Sequence, residues 1–211
     1  MLACSQETLH WAAASGFLVG SDGQFAHAPC SLIPYPLPSS LFAQALSLAA
    51  PFNTLVDRVS RDTAWLHAVT RSVTASDAFT ARLLALSEAV CAEGVAQPLQ
   101  LGINRSDYML HQPTPDAAPC LKQVELNTIA CSFVSLSAKI CELHRELLLR
   151  SVHHPKAPHA DALKRLAPIA AAISDPEARL PENSCVDDVA AAVALAHSEY
   201  TRLGLKATSA A

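Results

Sequence analysis

The 211-residue sequence is short of aromatic residues, glycine and basic clusters, and each shortage narrows the class of protein. Aromatic residues make up 5% of a chain that is 51% hydrophobic, so Ala, Leu and Val dominate and favour packed helices. The six glycines are scattered and never adjacent, which excludes a glycine-rich phosphate loop. No cluster of Lys and Arg exceeds two residues and the net charge is −4, so the sequence predicts no binding to nucleic acid.

Long apolar segments and an early basic region are also missing. No apolar run reaches the roughly 20 residues that a helix needs to span a bilayer. The first basic residue is Arg58, which argues against a secretory or mitochondrial presequence. These features predict a cytoplasmic protein that does not associate with membranes.

Seven cysteines occur without any C-x-x-C pair, so the sequence indicates neither a zinc knuckle nor a redox dithiol. We interpret them as reduced thiols, most of them small core residues. A zinc site at His153, His154 and His159 is disfavoured because two intervening prolines suit a solvated linker and no acidic residue or paired cysteine is near.

Apolar spacing predicts helices over most of the chain. The first ends at Gly16, and another begins at an N-cap that is either Ser76 or Asp77 and ends at Gly94. Pro51 should interrupt a long helical region. The segment from 20 to 38 is rich in Gly and Pro and predicts a loop. The predicted helices are approximately 6–15, 40–50, 55–69, 78–93, 135–150, 161–174 and 186–203.

Two runs predict strands, Pro98 to Ile103 and Leu121 to Asn127, with a polar loop between them. The expected fold class is therefore α+β, mostly helical with a short central sheet. We expect a helical frame with this strand pair over 1–152, a linker over 153–160, and C-terminal helices over 161–211.

The second predicted strand alternates polar and apolar residues. Because strand side chains change faces at each step, Gln123, Glu125 and Asn127 should share a polar face. Val124 and Leu126 should face the core. Two hard oxygen donors on one face can converge on Mg²⁺, although an exposed polar face of an edge strand would show the same pattern.

The first predicted strand ends in Asn104, Arg105, Ser106 and Asp107. The planar guanidinium of Arg105 suits a carboxylate ligand, and Asp107 could hold it in place. A structural ion pair between Arg105 and Asp107 at a turn remains the alternative interpretation.

These motifs, LGINRSDYM followed by LKQVELNTI and then Ser132-Phe133, together resemble eukaryotic glutathione synthetases. Flanking segments resemble the family's helices in order and spacing, and the resemblance covers about residues 9–205. It implies the N-terminal part of an ATP-grasp ligase. Such an enzyme phosphorylates γ-glutamylcysteine with ATP, and the amine of glycine then displaces the phosphate.

The resemblance also implies roles for individual residues. Glu125 and Asn127 match the magnesium ligands, and Glu125 also lies at the nucleotide. Arg105 matches the arginine that binds the dipeptide, with Asp107 as the residue that orients it. The short stretch matching the backbone around the same substrate comprises Ile129, Ala130, Cys131 and Ser132.

The sequence departs from the family pattern in two ways. Ala130 replaces a usual serine, and Val134-Ser135 replaces a glycine-containing pair. The family's substrate-binding domain, nucleotide lid and third metal carboxylate are not found, so we expect a truncated chain. The alternative is a non-catalytic truncated isoform or interaction module that pairs with a full-length subunit, since the family implies homodimers.

Overall fold

The computed structural model describes residues 2–32, 34–129, 131–153 and 180–204. Within these residues the chain is mostly helical, as expected from the sequence, and it has two small antiparallel sheets where one was expected. The helices are α1 (Leu2–Ser15), α2 (Ser39–Arg61), α3 (Thr63–Thr70), α4 (Ala78–Glu93), α5 (Val134–His153) and α6 (Cys185–Arg202), and a 3₁₀ helix covers Arg71–Val73. The strands are β1 (Leu18–Ser21), β2 (Gln24–His27), β3 (Arg105–His111) and β4 (Cys120–Asn127).

The chain divides into two compact units. The first unit comprises Met1–Leu37 and Ser132–Ala191, and the second comprises Pro38–Cys131 and Ala192–Ala211. None of the described helices is both long and apolar enough to cross a bilayer. The predicted linker after His153 and the predicted helix over 161–174 lie outside the described residues.

The first unit has the deeper core. Ala12, Phe17 and Ala28 are buried together, and the rings of Trp11 and Phe17 lie 6.2 Å apart. A second cluster on α5 contains Leu143 and Leu147. Next to it His144 is buried, and its Nε2 lies 2.9 Å from the carbonyl oxygen of Ser31.

The β1–β2 hairpin overlaps the start of the segment predicted to be a loop, so that prediction was wrong over residues 20–27. Residues 28–32 and 34–38 have no regular secondary structure, as expected. Asp22 and Gly23 form its turn with φ of 52° and 78°. Two consecutive residues with positive φ match the turn whose twist suits a two-residue hairpin. The Asp-Gly pair was therefore the sequence signal for this hairpin.

The predicted break at Pro51 was also wrong, because α2 continues through it. Proline removes one backbone donor and leaves the carbonyl of Ser47 without its helical partner. Both residues are exposed, so water can hydrate that carbonyl.

The predicted ends of α4 are confirmed. The carboxylate of Asp77 accepts from the backbone N–H groups of Phe79 and Thr80, which satisfies two donors of the first turn. Gly94 has φ of 91°, a conformation that other residues rarely adopt. The turn at Gly16 after α1 is confirmed in the same way, with φ of 67°.

Candidate functional site

The β3–β4 hairpin brings four of the predicted site residues to one face. The strands are antiparallel, with Arg105 opposite Asn127 and Asp107 opposite Glu125. Directly opposed residues share a face, and residues two apart on one strand share it too. The four side chains therefore form one polar cluster, which we call the hairpin site.

A β-bulge interrupts the register next to the hairpin site. Tyr108 pairs with Gln123, so Val124 has no partner on β3. Because Tyr108 faces away from Asp107, its partner Gln123 also leaves the face that Glu125 occupies. The prediction that Gln123 shares that face was wrong. Val124 was expected in the core but is 59% exposed, which corrects that prediction as well.

The prediction of a strand over Pro98–Ile103 was wrong. Residues 98–104 have no regular secondary structure, and β3 starts at Arg105. Its partner β4 ends at Asn127, so earlier residues have no strand with which to pair. Just before β3, the side-chain amide of Asn104 donates to Oδ1 of Asn53 on α2 at 3.0 Å. Asn53 could not be predicted as a partner of Asn104, because a separation of 51 residues leaves no local pattern.

Arg105 and Asp107 form a two-pronged ion pair. Nε of Arg105 donates to Oδ1 at 2.9 Å and Nη2 donates to Oδ2 at 3.1 Å. The hydrogen bonds from Arg105 hold the pKa of Asp107 below its ordinary value, and the hydrogen bond to Asp107 raises the pKa of Arg105. This pairing uses the Nε edge of the guanidinium. The edge formed by Nη1 and Nη2 is left for another carboxylate.

Asn127 connects the two carboxylates of the hairpin site. Its amide nitrogen lies 3.0 Å from Oε1 of Glu125 and 3.2 Å from Oδ2 of Asp107. Nη2 of Arg105 lies 4.0 Å from the same Glu125 oxygen. The expected placement of Glu125 and Asn127 on one face, with Arg105 beside them, is confirmed.

The hairpin site supplies hard oxygen donors, the type that Mg²⁺ prefers. Glu125 and Asn127 would contribute one carboxylate and one amide oxygen. Among the described residues no group of three or more His, Cys, Asp or Glu could by itself hold a metal ion. The donor chemistry therefore fits magnesium, and further ligands would have to come from water, a phosphate or residues outside the hairpin site.

The stretch after β4 is placed in part. Ile129 is 94% exposed, and Sγ of Cys131 lies 2.8 Å from the carbonyl oxygen of Ile103 and 3.2 Å from that of Asn127. Cys131 is therefore tied to the end of the hairpin. Ser132 is exposed and belongs to the first unit. Ala130 lies outside the described residues.

Comparison with protein families gives a match over nearly the whole chain. The family model described as the ATP-binding domain of eukaryotic glutathione synthase matches residues 2–206. The chain belongs to this family. The motifs that suggested the resemblance are those that build the hairpin site.

Several curated relatives carry the name glutathione synthetase. A Xenopus laevis protein is 46% identical over 128 residues, which cover 61% of this chain and 27% of the relative. A Bos taurus protein is 44% identical over 123 residues, 58% of this chain and 26% of the relative. A Solanum lycopersicum protein named as chloroplastic is 35% identical over 206 residues, 93% of this chain and 34% of the relative. The chain thus spans about a quarter to a third of the length of these relatives.

Proposed function

We propose that this chain supplies the dipeptide- and metal-binding part of a glutathione synthetase. The complete reaction joins γ-glutamylcysteine to glycine at the expense of ATP, through an acyl phosphate, in a ligase of the ATP-grasp type. The observation that carries the proposal is the hairpin site, where an arginine with one open edge lies beside a carboxylate and an amide on the same face.

In this proposal Arg105 binds the carboxylate of γ-glutamylcysteine. A carboxylate accepts two parallel N–H bonds from one edge of a guanidinium, and Asp107 already fixes the other edge. Asp107 therefore orients Arg105 and limits the rotation that a free arginine side chain would have. A fixed donor pair loses less conformational entropy when the substrate binds.

Glu125 and Asn127 are the residues that would hold Mg²⁺, and Glu125 would also lie at the nucleotide. When bound, the metal would neutralise charge on the triphosphate of ATP. The backbone around Ile129, Ala130, Cys131 and Ser132 would complete the contact with the dipeptide. The thiol of Cys131 supports this arrangement because it ties the stretch to the carbonyl groups of Ile103 and Asn127.

The wider context of the proposal comes from the family resemblance and the sequence. We propose that the complete enzyme is a homodimer, and that the chain acts in the cytoplasm. Free thiols, the state that a reducing compartment maintains, occur at Cys30, Cys91, Cys120, Cys131, Cys141 and Cys185. The name of the tomato relative indicates that the family also serves chloroplasts.

A calorimetric titration with γ-glutamylcysteine tests the proposal. Arg105→Lys should weaken binding by about tenfold or more, because an ammonium cannot provide two parallel donors to one carboxylate. The matched control is Arg61→Lys, since Arg61 also pairs with an aspartate, Asp57, at 2.8 Å but lies on α2. If the two variants bind γ-glutamylcysteine with equal affinity, Arg105 does not bind the dipeptide. In a parallel titration with Mg-ATP, Glu125→Gln should reduce binding.

A further inference from the structure

Helix α4 packs against its neighbours through a mixed side, on which two polar residues accompany one buried leucine. Nε2 of His67 on α3 lies 2.9 Å from Oγ of Ser87, and Arg71 forms an ion pair with Glu88. Leu84 is the buried apolar residue of this helix. We call these contacts the α3–α4 seam. A helix that packs on a domain core usually turns its apolar stripe inward, so this orientation is unusual.

The apolar stripe of α4 points outward. Phe79, Leu83, Leu86 and Val90 are spaced by four, three and four residues, which places them on one helical face. All four are exposed, with Phe79 at 72% and Leu86 at 62%. Single exposed leucines are common, but a continuous row of large apolar residues is typical of a binding surface.

The composition of the stripe indicates the kind of partner. Of the charged residues of α4, Glu88 lies in the seam, and Arg82 and Glu93 border the stripe. Interfaces that form permanently are apolar and resemble a domain core cut in two, whereas transient interfaces are more polar. The relatives are longer than this polypeptide. The 123 aligned residues make up 26% of the Bos taurus protein and the 206 aligned residues make up 34% of the Solanum lycopersicum protein, so each contains about one to two times as much further chain as this polypeptide provides.

We infer that the outward stripe of α4 is a docking surface for the polypeptide that supplies the remaining part of the glutathione synthetase fold. This inference rests on the proposed function, because it takes as the partner the part of the ligase that the relatives contain beyond the aligned segment. The stripe would become the apolar core of that contact, and Leu86 lies at its centre.

Co-expression of this chain with the remaining part of the Xenopus laevis relative tests the inference. The two polypeptides should purify as a one-to-one complex, measured by size exclusion with light scattering. Leu86→Glu should abolish the complex, because it places a charge in an apolar contact. Ala85→Glu is the matched control, since position 85 is also exposed on α4 but lies off the stripe. It should leave the complex intact.

A covalent fusion of the two polypeptides provides the second measurement. In the fusion, Leu86→Glu should lower the melting temperature by several degrees relative to Ala85→Glu. In this chain alone, the two variants should have the same melting temperature. If no complex forms and the two fusions melt alike, the inference is wrong. A dimer of this chain alone that Leu86→Glu dissociates would identify a second copy as the occupant and would equally overturn it.

The same variants separate this inference from the proposed function. Leu86→Glu should leave γ-glutamylcysteine binding by the isolated chain unchanged, because Leu86 lies outside the hairpin site. A complex that forms in the absence of any dipeptide binding would support the docking surface and contradict the proposed function.

Discussion

At the scale of single residues, the hairpin site depends on how two side chains divide their hydrogen bonds. Asp107 accepts from one edge of Arg105, and Asn127 donates to both Asp107 and Glu125. These contacts fix the orientation of each group before a ligand arrives. Preorganised donors are the usual basis of strong carboxylate recognition in binding sites.

His144 gives the first unit a pH-dependent stability. Burial lowers the pKa of this histidine below its ordinary value of 6.5, outweighing the hydrogen bond to Ser31. As the pH falls below about 6.5, the unfolded chain therefore takes up a proton that the folded chain resists. The neutral, buried His144 therefore contributes fully to the stability of the folded chain above about pH 6.5, and this contribution is lost as the pH falls further.

We expect the melting temperature to fall between about pH 7.5 and about pH 5.5, and His144→Gln to reduce that dependence. Glutamine can still donate to the carbonyl of Ser31 but does not titrate. Thermal melts of both proteins across this range measure the effect. Identical slopes would show that His144 does not control it.

The residues of the hairpin site were predictable from the sequence wherever the side chains of β4 alternate regularly between the two faces of the strand. Glu125 and Asn127 lie on one face because β4 is regular between them. Gln123 was assigned to the wrong face because a bulge depends on the pairing of two strands, which no single strand reveals. The partner of Asn104 was also unpredictable. Asn53 lies on α2, 51 residues earlier in the chain, and a contact over that distance leaves no pattern in the sequence.

At the scale of elements, α4 contains a matched pair of leucines in opposite surroundings. Leu84 is 8% exposed, and Leu86 is on the outward stripe. In the isolated chain, Leu84→Ala should reduce the free energy of unfolding by about 2–5 kcal/mol. Leu86→Ala should change it by less than about 0.5 kcal/mol, because an exposed side chain loses few contacts. Urea unfolding of the two variants measures the difference, and equal losses would contradict the orientation of α4.

Helix ends were predictable because their signals are local. Asp77 and Gly94 act through their own backbone geometry and mark α4 at both ends. The orientation of α4 was not predictable, because the sequence shows an apolar stripe without showing what it contacts. The hairpin at Asp22 and Gly23 was missed although its turn signal was present, since the surrounding Gly and Pro residues favoured a loop.

At the scale of the whole molecule, we expect that this polypeptide alone makes no glutathione. The sequence contains no glycine-rich phosphate loop, and the chain spans 26–34% of the length of relatives that carry the synthetase name. Loss of two or three charge-stabilising elements at roughly 3 kcal/mol each lowers the rate by about 10⁴ to 10⁷. Water would also remain in the site and screen the charges that are left.

An assay with ATP, Mg²⁺, γ-glutamylcysteine and glycine checks this expectation. Phosphate release and glutathione formation should both stay below detection. Turnover comparable to that of an intact synthetase, abolished by Glu125→Ala, would show that the chain contains all that the reaction needs. Co-expression with the remaining part of the fold is the condition under which activity should appear.

The family was predictable at this scale because two long motifs occur in order within a matching helical frame. The division into two compact units was not predictable from the sequence. The first unit combines one segment that precedes Pro38–Cys131 in the chain with another that follows it, and Pro38–Cys131 is the main segment of the second unit. Contacts between distant segments leave no periodic pattern along the chain.

The two sides of α4 have opposite responses to the solvent. Added salt screens the exposed ion pair between Arg71 and Glu88 and so weakens the α3–α4 seam. Sulfate and similar ions strengthen apolar association, and so favour covering Leu86 and its neighbours. The ionic composition of the buffer therefore shifts the balance between the folding of this helix pair and its attachment to other surfaces.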